Sequence, residues 1–254
     1  MSSSPVTIDM IVAALALPPG PSPRRVPKAS LADNAPTTGD RKLIDAKLAR
    51  LDWIAAINPA SAGIAEATMG GIEVATINVL AARTRGGMPP RLTEIIHRAI
   101  PQPVILIHAA DEPDGAAGLS LATKRADERV AGRVVVTALH ESGALAGPDH
   151  EFLFALALPH LPSRDLADVY YGLMERLDAL NAARLVDRTF RLAASQDELS
   201  RWRDALAVIA ELTARIAARS AAMRKVTRLA ARVEGGEAVR ELRAALDKRK
   251  RMLE

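Results

Sequence analysis

The sequence predicts an α/β (α+β) protein: a small mixed β-sheet flanked by helices, then a long C-terminal helical, coiled-coil-like segment. Three observations predict it. "GIEVATINVLA" alternates over 72–79 with β-branched residues dominant, the pattern of a strand with two unlike faces. "PVILIHAA" is a continuous apolar run of strand length. From Asp149 onward apolar residues recur at helical spacing, and beyond Ser195 at near-heptad spacing. These changes of period set the expected organisation: an N-terminal helix and irregular arm over 1–40, an α/β domain over 41–148, a helical segment packing on the sheet over 149–194, and a long helix plus a second helix over 195–254.

In chain order, "MIVAALALPPG" is short, lacks a basic leader and carries Asp9, so it reads as a buried helix rather than a signal peptide. Thr7 or Asp9 would cap it and Pro18-Pro19 would end it. The Pro- and Gly-rich stretch 18–40 is an irregular arm, with Val26 and Leu31 able to pin it to the core. "TTGDRKLIDAKLARLDWIAAINP" reads as one helix, capped by Asp40 and stopped at Asn58-Pro59. Pro89-Pro90 opens a helix over "RLTEIIHRAI", and "DEPDG" is a turn. "AAGLSLATKRA" and "GRVVVTALH" read as two more strands, giving the order β-α-β-β-β. A helix beginning after Ser163 carries the stripe Leu166, Val169, Tyr170, Leu173, Leu177, Leu180. Ser195 and Glu198 form the spacing of a capping box. Gly235-Gly236 should interrupt the helix that follows, because two glycines cost roughly 2 kcal/mol of helix propensity, so a hairpin or a kinked stalk is expected.

Composition narrows the chemistry. Only 3% of residues are aromatic while 49% are apolar, so the core must be built from Ala, Leu, Ile and Val. With no cysteine, disulfides, thiolate nucleophiles and Cys-based zinc sites are excluded, which suits a reducing cytoplasm. The formal charge is +4 but uneven: residues 201–254 hold 14 Lys+Arg against 7 Asp+Glu, leaving 20 against 23 in the first 200. A basic end of this kind is a charged helical stalk or a site for an anionic partner. The closing run Lys248–Arg251 circles its helix, so it reads as a stalk end rather than a phosphate hook.

No phosphate-binding loop, dinucleotide fingerprint or serine-nucleophile elbow occurs. His97, His108, His140, His150 and His160 include no i, i+4 pair, so no metal or other cofactor is expected. A restriction-type nuclease would need a carboxylate two residues before Lys124, where Ala122 stands; with Glu73 on the first strand, a degenerate or active metal-dependent nuclease remains an alternative. The candidate binding residues, for nucleic acid or a partner, are Arg25, Lys28, Lys124, Arg125, Arg224 and Lys225. No aromatic residues interleave with them, which argues against base stacking.

Six stretches together resemble a bacterial family of unknown function, domain-of-unknown-function family 4391: "RRVPKASL", "APTTGDRKLIDAKLARLDWIAAINP", "RLTEIIHRAIPQPVIL", "LSLATKRAD", "FLFALALPHLPSRDL" and "VYYGLMERLDALNAARL". The resemblance implies a locus shared with Swi/Snf-type helicases and type III restriction-like DNA methyltransferases, and so an accessory subunit of an anti-phage defence machine. It carries over Arg25, Pro27, Lys28, Lys124 and Arg125. The chain departs from the family pattern at Thr123, at Tyr171 and Leu173, and at Gly235-Gly236. The expectation is a cytoplasmic, non-enzymatic protein that binds a helicase or methyltransferase, with DNA as a possible second ligand. The remaining alternative is an oligomerisation module acting through the C-terminal helices.

Overall fold

The computed structural model describes residues 4–112, 115–224 and 229–253, the side chains of 229–234 excepted. In chain order the elements are α1 (Ile8–Ala14), β1 (Arg24–Arg25), α2 (Lys28–Asp33), α3 (Thr38–Lys47), β2 (Leu48–Ile57), α4 (Pro59–Ala62), β3 (Ala67–Met69), β4 (Ile72–Val74), β5 (Ile77–Thr84), α5 (Pro90–Ala99), β6 (Val104–Ala110), β7 (Gly118–Ala126), β8 (Val134–Glu141), α6 (His150–Ala155), α7 (Leu166–Leu185), α8 (Gln196–Met223) and α9 (Leu229–Lys250). They form two compact units, residues 1–177 and 178–254. No described helix is long and apolar enough to cross a membrane.

The first unit is built on a six-stranded mixed sheet in the order β1-β2-β5-β6-β7-β8, with β3-β4 as a separate hairpin. The expected β-α-β-β-β run is present as β5-α5-β6-β7-β8. β5 and β6 are parallel, joined through α5, and the other pairs are antiparallel. One face of the sheet carries Leu51, Leu80, Ala82, Val104 and Leu106. It packs on Leu31 of α2, Ile44 of α3, and Leu92, Ile95 and Ile96 of α5. Val26 and Leu31 thus pin the arm as expected. Each fully buried Leu or Ile here contributes about 1.5–3 kcal/mol. On the other face, Thr123 meets Met174 of α7.

Two expectations change. The single helix expected after Asp40 up to Asn58 is instead a helix from Thr38 to Lys47 and then strand β2. Ala and Leu favour helix by propensity, but pairing with both β1 and β5 overrides it. The cap is Thr37, whose hydroxyl accepts from the Asp40 amide, while Asp40 receives a two-pronged bond from Arg91 of α5 that holds its carboxyl down to about 2. The stretch 72–79 is not one strand: β4 ends at Val74 and β5 starts at Ile77.

In the second unit, Trp202, Ala205 and Ile209 of α8 bury against Ala179 and Ala182 of α7 and against Leu253. The guanidiniums of Arg188 and Arg191 lie 4.6 and 4.8 Å from the Trp202 ring. α8 and α9 pack along one another as a hairpin. α8 ends at Met223 and α9 begins at Leu229 and runs through Gly235-Gly236. A Cβ on Gly235 would stand 2.9 Å from the Met223 side chain, so the glycine sits at a close helix approach instead of ending a helix.

Candidate functional site

Within the first unit the nominated residues do not converge on one face. Arg25 is exposed on edge strand β1, and Lys28 is half-buried at the start of α2. Arg125 is exposed on β7, four strand spacings or about 19 Å from β1, and pairs with Glu128. Arg224 is exposed in the second unit, and Lys225 lies outside the described residues.

Lys124 is 1% exposed, so its ammonium is not presented to a phosphate. Its Nζ donates to the Ile100 carbonyl at 2.7 Å and the Gln102 carbonyl at 2.8 Å, at the C-terminal end of α5. Burial lowers its pKa to about 7. Gln102 also ties in the hairpin: its side chain accepts from the Ala75 and Thr76 amides and donates to the Glu73 carbonyl. A Cβ at Gly70 would stand 2.2 Å from the Lys124 carbonyl, so only glycine lets the β3-β4 turn rest on β7. His97 lies beside this lysine on α5 and shares a 3.0 Å hydrogen bond with the Ser120 hydroxyl. Burial, then the charges of Lys124 and His108, hold His97 well below its usual range, and burial lowers His108 to about 4. Neutral rings and a lysine with few acceptors make this cluster a clamp on the helix end and hairpin. Among the described residues no three His, Asp or Glu side chains group as metal ligands. Glu73 is exposed in the separate hairpin and Lys124 is enclosed in the main sheet, so the two do not form the adjacent-strand pair that a restriction-type nuclease uses.

Two surfaces do assemble side chains. One is a groove of about 790 Å³ between α8 and α9. It is lined by Leu212, Arg215, Ala218, Arg219 and Ala222 of α8 and by Ala238, Glu241, Leu242 and Ala245 of α9. Leu212 to Ala222 spans about 15 Å, nearly three helical turns. The other lies on the sheet. Arg25 stands opposite Asp52, and Arg50 opposite Arg83, which puts three arginines on one face of the adjacent strands β1, β2 and β5. Sequence reasoning missed Arg50 and Arg83 because they are 33 residues apart, and only the pairing register joins them.

No curated protein and no solved structure matches the chain. The family model described as "Domain of unknown function (DUF4391)" matches residues 15–246, nearly the whole length. The chain belongs to that family.

Proposed function

We propose that this protein is a non-catalytic accessory subunit that docks a helical segment of a partner protein in the groove between α8 and α9. The partner is the helicase or methyltransferase of a bacterial restriction-like defence system, and the work is done in the cytoplasm. The groove carries the reading. The alanines that line it let a helix backbone approach to the 8–10 Å of close helix packing, and Leu212 and Leu242 supply apolar contact. Arg215 and Arg219, which line it from α8, select carboxylates on the incoming helix. The basic balance of residues 201–254 favours an acidic partner over a second copy of the same basic hairpin. The class of partner is what the resemblance of the six stretches implies, and the cysteine-free composition suits the compartment.

The test is affinity purification from the native host with tagged wild type and Ala222→Trp, which fills the groove from an exposed position. Wild type should retain the helicase or methyltransferase of its own locus, and Ala222→Trp should lose it by at least tenfold with an unchanged circular dichroism spectrum. Equal retention by the two chains removes the groove, and recovery of neither enzyme by wild type removes the reading altogether.

A further inference from the structure

We propose that Arg25, Arg50 and Arg83 form a site for the phosphodiester backbone of nucleic acid, independent of the helical groove. The three side chains leave one face of three neighbouring strands. Arg50 and Arg83 are direct cross-strand partners. Such partners have Cβ atoms about 5 Å apart, and like charges there weaken a sheet. Arg50 has a 2.6 Å ion pair with Asp52, but it is still 58% exposed. Among the described residues, neither Arg25 nor Arg83 has an ion pair, whereas Arg91, Arg125, Arg191 and Arg203 each do. A face that keeps three guanidiniums against one carboxylate is arranged for an external anion.

The surroundings choose the kind of anion. Among the described residues no exposed large apolar side chain lies on β1, β2 or β5. An acidic protein surface would be expected to meet an apolar or aromatic anchor, while phosphates need only charge and donors. Trp53, the nearest aromatic ring, points to the opposite face, where Arg24 covers it at 4.6 Å and its indole donates to Asn78. With no ring to stack on, bases are not read, so binding is to the backbone and indifferent to sequence. Successive phosphates of one strand lie close enough along the helix for three arginines to engage two or three of them.

The experiment is fluorescence anisotropy of a labelled 20-base-pair duplex of arbitrary sequence with the full chain, over a series of salt concentrations. Three phosphate contacts give a slope of log K against log salt near −2.7, or roughly a 40-fold loss between 50 and 200 mM. Arg50→Gln/Arg83→Gln should reduce that slope to about −1 and weaken binding at least tenfold at 50 mM, while its melting temperature stays level or rises because the like-charge pair is gone. Arg125→Gln, on a different strand, should bind as wild type does. The proposal is overturned if the double variant binds as tightly as wild type, if Arg125→Gln loses as much, or if polyglutamate displaces the duplex as readily as unlabelled DNA. A double variant that binds weakly and also melts earlier is checked with Arg83→Lys, which keeps the charge: restored binding upholds the site, and continued loss overturns it.

Discussion

Lys124 shows how burial changes what a residue can do. In sequence it stands beside Arg125 in a basic pair; in the fold it is a buried donor to two carbonyls with a pKa near 7. Its ordinary value is 10.5, so between those two values the unfolded chain binds more protons than the folded one. Stability is therefore fullest above the unfolded value and falls as pH drops through the folded one. Urea unfolding should show stability rising by about 2 kcal/mol from pH 7 to pH 9, and Lys124→Met should flatten that rise. An unchanged slope in the variant would assign the effect elsewhere. His97 and His108 also have depressed values, so they contribute above pH 6.5 and lose that contribution on acidification towards pH 4. The depressed pKa was not legible in "LATKR": nothing local marks the lysine as enclosed, because α5, its following loop and the β3-β4 turn enclose it from distant parts of the chain.

At the scale of elements, Tyr170 of α7 holds β6 and β7 together where their ladder stops. The regular pairs end at Leu106 and Ser120. Beyond them the Tyr170 hydroxyl accepts from the Ala122 amide at 3.0 Å and faces the Val104 carbonyl at 3.0 Å. Tyr170→Phe leaves a buried amide without its acceptor and should cost about 1–3 kcal/mol, measured by denaturant unfolding. Arg83→Thr should act oppositely, gaining about 0.2–1 kcal/mol by removing the cross-strand like-charge pair. Much at this scale was legible. Thr7 caps α1, Ser195 caps α8, and the β5-α5-β6-β7-β8 order follows from apolar period alone. β2 was not, because Leu48, Leu51, Ile54 and Ala55 fit a helical stripe as well as a strand. Its pairing with β5 joins residues 20 to 36 positions apart, which no local window contains. The helix of 166–185 likewise starts from Asp165, whose side chain accepts from the Asp168 amide, and not from Ser163.

At the scale of the molecule, the unit over 1–177 supplies an arginine face on its sheet, and the unit over 178–254 supplies a helix-sized groove. The groove was only half legible: the heptad stripe announced paired helices, but the exposed alanines Ala218, Ala222 and Ala245 look like ordinary helix formers until the two helices are set side by side. The closing basic run behaves as its spacing implied. Lys248 and Arg251 are exposed, Arg249 and Lys250 are half-buried, and Leu253 is enclosed with Trp202. Occupation of the groove by a partner helix, as proposed, can be measured directly because the chain has no cysteine. A single cysteine at Ala222, loaded with a photo-activated cross-linker in the native host, reports what lies in the groove. Cross-links to one helical, acid-flanked segment of the locus helicase or methyltransferase are expected. Cross-links confined to a second copy of this chain, or to scattered peptides of unrelated proteins, would contradict that occupation.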